Sequence, residues 1–113
     1  MPNRSIHAET LRAAGAVAAA RLVGFDGAQA TVAGQKVLGP AQYAAADGEL
    51  VAVDAIGTSM VEAGAAIAVG DDLIADAQGR AVPAAGGAGE YVFADALQAA
   101  TGAGQRIEAI LRR

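Results

Sequence analysis

Short apolar runs separated by glycine and aspartate are the main pattern of this chain. From Asp26 onward, turn-forming pairs such as Asp47-Gly48 and Gln78-Gly79 recur at short intervals. The runs between them have the length of ordinary β-strands and contain many small apolar residues. Short apolar runs bounded in this way are typical of an all-β sandwich or barrel. No stretch of this region sustains the periodicity of a good amphipathic helix, so we predict an all-β fold.

Three segments near the C-terminus allow more detailed predictions. In the last run, Ile107, Ala109 and Leu111 are predicted to share one face of a strand, and the polar residues lie opposite or at its end: Arg106, Glu108 and Arg112. Pro83 cannot donate a backbone hydrogen bond, so the run that contains it is predicted to be an edge strand or a strand end. Residues 93–100 are interpreted as a strand that leads into a glycine-rich turn rather than as a short helix.

The N-terminal residues differ from the rest of the chain. Residues 1–12 are polar and predict an extended N-terminal arm, followed by a single β-rich domain over residues 13–113. Alanine propensity also allows a helix over residues 9–22, but Gly15 would cost its interior about 1 kcal/mol. Because the residues before Asp26-Gly27 resemble a strand entering a tight turn, we favour an arm followed by a strand.

Composition excludes several classes of function. The chain has no cysteine and one histidine, which leaves no basis for a thiolate metal site or a catalytic triad. The net charge is −4 and the basic residues are scattered, so direct nucleic-acid binding is not expected. The alanine-rich run of residues 13–20 is too short to span a membrane. We therefore predict no metal, no cofactor, and neither a nucleic-acid nor a membrane partner.

The aspartates of the segment GDDLIADAQG could form an acidic site or simple turns. A calcium loop places oxygen ligands at alternating positions, but Leu73 and Ile74 stand where ligands would be needed. No neighbouring group is evident that would raise the pKa of one carboxylate for acid–base catalysis. Aspartate and glycine are ordinary turn residues, so we predict a non-enzymatic scaffold. The predicted structural turn residues are Gly27, Gly48, Gly70, Asp71 and Gly79.

The segment DGELVAVDAIGTSMVEAGAAIAVGDDLIADAQGRAVPA resembles the capsid cement, or head decoration, proteins of tailed bacteriophages. The later segment GEYVFADALQAATGAGQRIEAILRR is similar to the C-terminal part of the same proteins. The resemblance runs from about Ala14 to the C-terminus. The positions that match in the first segment are Asp47, Gly48, Glu49, Val51, Val53, Gly57, Ala63, Gly64, Ala65, Ile67, Gly70, Asp71, Leu73, Asp76 and Gly79.

This resemblance implies a small β-barrel or β-tulip-like domain that binds the outside of the mature icosahedral head. Such a protein cements neighbouring major capsid subunits against the pressure of packaged DNA. The resemblance also implies a homo-oligomer, with a trimer favoured and a dimer possible. The expected location is the exterior of the virion, after synthesis as a late protein in the host cytoplasm.

The resemblance gives the N-terminal arm a role. In decoration proteins such arms often reach onto capsid subunits, sometimes by adding a strand to a capsid sheet, which needs no special side chains. We therefore predict a capsid-binding arm in which Arg4 and Arg12 pair with acidic groups and Ile6 and Leu11 fill apolar niches. His7 lies in the same arm. The candidate arm residues are Arg4, Ile6, His7, Leu11 and Arg12.

Two other hypotheses remain open from the sequence. The chain could be a small non-catalytic ligand-binding or carrier-like β domain that serves an enzyme, which predicts a stable monomer with a pocket. An acidic hydrolase that uses Asp71, Asp72 or Asp76 is the third alternative.

Overall fold

The computed structural model describes residues 4–112, and these residues form β-strands and loops without a helix. The all-β prediction is therefore confirmed. The strands are β1 (Arg4–Arg12), β2 (Leu22–Val23), β3 (Gly39–Pro40), β4 (Leu50–Glu62), β5 (Asp72–Ala75), β6 (Ala81–Pro83), β7 (Ala94–Ala96) and β8 (Arg106–Leu111).

Six of the strands form one antiparallel sheet in the order β1-β4-β8-β7-β5-β6, and β2 pairs with β3 in a second, small sheet. The large sheet curls so that β6 returns to the end of β4. There the Gly64 N–H donates to the Ala81 carbonyl oxygen at 2.8 Å, and Ala63 forms an isolated parallel bridge with Ala81. A single bridge is not a full ladder, so the sheet resembles a barrel but stays open. Pro83 lies in an edge strand, as predicted.

β4 is the longest strand and organises the fold. Its first part, from Leu50 to Thr58, pairs with β1, and its last part, from Thr58 to Glu62, pairs with β8. One core cluster fills the curled sheet and includes the fully buried Phe93 and Leu73. A second, smaller cluster lies beneath the pairing of β1 with β4. It contains Val17, Val23, Leu38, Val51 and Val53, together with several alanines.

β8 follows the predicted alternation only in part, because Glu108, which was expected on the opposite face, is buried as well. Ile107 and Ala109 are buried, and Leu111 packs against the same cluster. β7 is shorter than the predicted strand over residues 93–100, because its chain leaves the ladder after Ala96. No helix forms in the alanine-rich segment after β1; Val17 bridges Ala45 there, and β2 follows. The alternative of a helix over residues 9–22 is therefore wrong. Within the described residues, no helix reaches the length and hydrophobicity that crossing a membrane requires.

Candidate functional site

The outer edge of β1 is a long run of accessible backbone. β1 is the terminal strand of the large sheet, and within residues 4–112 no other strand pairs with its outer side. The Ala13 N–H donates to the Glu49 carbonyl oxygen on the β4 side, at 2.7 Å. Because backbone groups alternate in direction along an antiparallel strand, the N–H and C=O groups of Ala8 and Thr10 point away from the sheet. These groups can pair with an added strand.

The side chains of β1 lie mostly in solvent. His7, Glu9 and Thr10 are exposed, and the His7 Nε2 lies 2.5 Å from the Glu9 Oε2. Leu11 is half-buried and packs against the second core cluster. The pairing register with β4 shifts around His7, which marks a bulge in the ribbon. β1 is therefore fixed by its backbone pairing and by the packing of Leu11.

The candidate arm residues occupy different positions in this strand. Arg4 and Ile6 belong to β1, but their side chains fall outside the part of the chain that is described. His7 is exposed, whereas Leu11 faces the second cluster. Arg12 donates from its Nη1 to the Gly48 carbonyl oxygen at 2.7 Å. Leu11 and Arg12 thus help to hold the C-terminal end of β1 on the domain.

Two of the predicted turn glycines brace this end of β1. Gly27 has a φ of 87°, and its carbonyl oxygen accepts a hydrogen bond from the Ala14 N–H at 3.1 Å. A Cβ added at Gly27 would overlap the Arg12 carbonyl oxygen, so a side chain there would push the turn off the strand. Gly48, with a φ of 84°, donates its N–H to Ala13. The open part of the edge therefore ends near Leu11.

The remaining turn residues lie elsewhere in the domain. Asp71 follows Gly70 in a tight turn and accepts the Ala68 N–H at 2.9 Å on its Oδ2. The Gly79 carbonyl oxygen accepts the Leu22 N–H at 2.7 Å, which ties the turn before β6 to β2. These residues shape loops and lie outside the β1 edge.

The other aspartates of the acidic segment form ion pairs. Asp76 pairs with Arg80 at 3.0 Å, and its Oδ1 also accepts the Gln78 and Arg80 N–H groups. Asp72 pairs with Arg112, which also binds Asp95; the hydrogen bond to Asp95 raises the pKa of Arg112 above its ordinary value. No group of three or more His, Cys, Asp or Glu side chains is placed to hold a metal ion in the described part of the chain.

A second feature, which the sequence did not suggest, is a cleft of about 380 Å³ beside the middle of β4. Its floor holds the fully buried Asp54, which accepts hydrogen bonds from the Ser59 hydroxyl at 2.5 Å and the Gln42 amide at 2.6 Å. Met60 and Arg106 complete one side of the cleft. An aspartate inside the apolar run LVAVD was the available signal, but one of its partners, Gln42, comes from outside β4.

The comparisons with known proteins agree with this architecture. A family model described as phage cement protein matches residues 4–111. Among solved structures, the chain is similar to the head fiber gp8.5 N base of bacteriophage phi29, with a TM-score of 0.74 and 25% sequence identity. That match covers 94% of this chain and 93% of the other. No curated protein matches the sequence.

The chain therefore belongs to the phage cement protein family, as the sequence resemblance predicted. It is a structural protein of the phage virion, associated with the head. The family model spans β1 as well as the curled sheet, so the N-terminal strand is part of what the chain shares with this family.

Proposed function

We propose that this protein binds the outer surface of the mature phage head and holds neighbouring major capsid subunits together against the pressure of packaged DNA. It does so through contacts alone, without catalysis. The observation that carries this proposal is the open edge of β1, a nine-residue strand with backbone groups available along its outer side. Membership of the cement family and the likeness to a phage head fiber base support it.

The contact proposed for β1 is strand addition. A capsid segment in extended conformation would pair with the outward N–H and C=O groups of Ala8 and Thr10. Backbone hydrogen bonds supply the affinity in this mode of recognition, so exposed and weakly specific side chains on β1 are compatible with it. The arm of the sequence hypothesis then acts as an acceptor strand fixed on the domain. Residues 1–3 lie outside the described part of the chain.

Several weak contacts are sufficient for such a function. Once one contact to the lattice forms, the next becomes nearly intramolecular, and this raises the overall affinity by about 10²–10⁴-fold. Contact sites that are completed when the head expands would make binding selective for mature heads, because a ligand shifts an equilibrium towards the state that it binds better.

We further propose that the protein acts as a homo-oligomer, with a trimer favoured. Ile56 of β4 and Ile110 of β8 are exposed on the outward face of the sheet, where Ile110 pairs with Thr58. An apolar pair of this kind gains free energy when a second copy covers it. The protein would assemble from the host cytoplasm onto the exterior of the virion. Sedimentation of the purified protein, alone and released from heads, gives its mass in each state.

The decisive experiment measures saturable binding to expanded, undecorated heads of the phage that carries this protein. Thr10→Pro removes one outward N–H, whereas the matched control Thr10→Val keeps the N–H and changes the same side chain. We expect Thr10→Pro to weaken binding by about tenfold, since one backbone hydrogen bond and its neighbours in the added strand are lost. Thr10→Val should bind as the unmodified protein does.

Thermal unfolding of both variants serves as the check on folding. If the unmodified protein does not bind heads at all, the proposed function is wrong. If it binds and Thr10→Pro binds equally well, the role proposed for the β1 edge is wrong while capsid binding stands.

A further inference from the structure

The cleft beside β4 is separate from the outer edge of β1 and has an open wall made of small side chains. Ala19, Ala20 and Ala41 line this wall, and their single methyl groups leave space that larger residues would fill. Ala20 has a φ of 64°, a left-handed conformation that costs a non-glycine residue on the order of 1 kcal/mol. Its N–H donates to the Ala41 carbonyl oxygen at 2.9 Å, and its own carbonyl accepts the Glu62 N–H. These bonds hold the wall in place.

The floor of the cleft is fixed by hydrogen bonds from within the domain. The Asp54 side chain is completely buried and receives the Ser59 hydroxyl and the Gln42 amide. Since these donors already occupy carboxylate oxygens, the floor is a rigid polar surface rather than an open cation site.

Arg106, at the lip of the cleft, is different. It is exposed, and its guanidinium makes no hydrogen bond or ion pair with any residue of the described chain. Glu62 lies directly opposite Arg106 on β4, which is where a cross-strand ion pair would be expected. However, Arg21 binds both carboxylate oxygens of Glu62, at 3.1 and 3.0 Å. The carboxylate of Glu62, which lies opposite Arg106 in the strand register, is therefore already paired with Arg21.

We propose that this cleft receives an acidic side chain of the capsid surface, whose carboxylate pairs with Arg106. The aliphatic stem of that side chain would pack against Met60 and the alanine wall. At the lip, Arg106 favours a carboxylate because its planar guanidinium presents paired donors that match the geometry of that group, whereas the Asp54 carboxylate on the floor is bonded to Gln42 and Ser59. The volume of about 380 Å³ admits a side chain together with its flanking backbone. This inference rests on the proposed function and adds a second contact, distinct from β1.

The test compares two variants that remove the same charge at different places. Arg106→Gln removes it at the cleft, and the matched control Lys36→Gln removes it where the ammonium lies over the Phe25 and Tyr91 rings. The probe is the expanded, undecorated phage head. We expect Arg106→Gln to raise the half-saturating concentration by about threefold to tenfold and to flatten its dependence on salt. Lys36→Gln should change neither, and Arg106→Lys should restore part of the affinity.

A steric pair tests the cleft without altering charge. Ala19→Met, at a half-buried position on the wall, fills the cleft and should weaken binding by a similar factor. Ala16→Met, at an exposed position outside the cleft lining, should not. If the unmodified protein ignores heads, the proposed function fails and this inference fails with it. If it binds while Arg106→Gln and Ala19→Met bind equally well, or if Lys36→Gln weakens binding as much as Arg106→Gln, the cleft is not the site.

Discussion

The two edges of the six-stranded sheet are built in opposite ways. β1 contains nine residues without a proline, and its side chains from His7 to Thr10 lie in solvent. β6 contains three residues, ends in Pro83, and buries Ala81 completely. An unpaired strand edge is a template for pairing with another chain, and proteins commonly protect such edges with short strands and proline. In this domain one edge is protected and the other is not.

The protection of β6 can be followed atom by atom. The Ala81 carbonyl oxygen points away from β5 and accepts the Gly64 N–H at 2.8 Å. The Ala84 N–H points towards β5, since it donates to the Asp72 carbonyl oxygen. By alternation, an N–H at position 83 would point outward, and proline removes it. At β1, the equivalent outward groups of Ala8 and Thr10 are retained. The difference indicates that strand pairing is avoided at β6 and possible at β1.

Of the two edges, the protected edge at β6 should lose more folding stability when a residue that forms its contacts is replaced. A Cβ at Gly64 would overlap the Asp76 carboxylate and lie 3.0 Å from the Val82 Cγ1. We expect Gly64→Val to lower the free energy of unfolding by about 2–4 kcal/mol, measured by urea denaturation, because the β6 contact must open to admit the side chain.

Gly102→Val is the matched control for this substitution. An added Cβ at Gly102 meets no atom within 4 Å, so the cost there should stay within about 0.5 kcal/mol. Equal losses at both positions would mean that the return of β6 to β4 contributes nothing particular to stability.

The stability of the region in which β1 pairs with β4 depends on a buried polar network. Asp54 lies opposite Ala8 in the pairing of β4 with β1 and accepts bonds from Ser59 and Gln42. We expect Asp54→Ala to cost about 1–3 kcal/mol of unfolding free energy, because the buried Ser59 hydroxyl loses its acceptor. Hydrogen exchange should show faster opening of β1 than of β8.

Ser59→Ala tests whether the network acts as a unit. It should cost less than Asp54→Ala, and the double variant should cost less than the sum, since each change removes the same hydrogen bond. Strictly additive losses would show that the two side chains do not depend on each other.

Local signals in the sequence predicted the turns and the edge position of the strand that contains Pro83. They also made the family recognisable. Proline acts through its own missing N–H, so its meaning does not depend on distant residues. The alternation in β8 could be predicted in part for the same reason: Ile107 and Ala109 are buried as the pattern indicated, whereas Ile110 is exposed and Glu108 is buried.

The pairing of strands that lie far apart in the sequence could not be predicted in this way. Residues 7–10 have exposed side chains on both faces of the strand, so they lack the alternation that predicts a half-buried strand. Their pairing with β4 rests on backbone bonds to residues far along the chain. The Asp54 network was missed for a related reason, since Gln42 reaches Asp54 from outside β4. The cleft also depends on where three alanines meet in space, which no local pattern records.

The smallest effect on folding stability is expected when the missing backbone N–H of the protected edge, β6, is restored. Pro83→Thr restores an N–H that points outward, and threonine suits a strand, so the free energy of unfolding should change by no more than about 0.5 kcal/mol. Head binding should also stay unchanged, because β6 offers three residues and its outward Ala81 carbonyl is already bonded to Gly64. Thr10→Pro makes the reverse change at β1 and is expected to weaken head binding. If Pro83→Thr instead altered the amount of protein bound per head, both edges would be binding edges, and the distinction between them would be wrong.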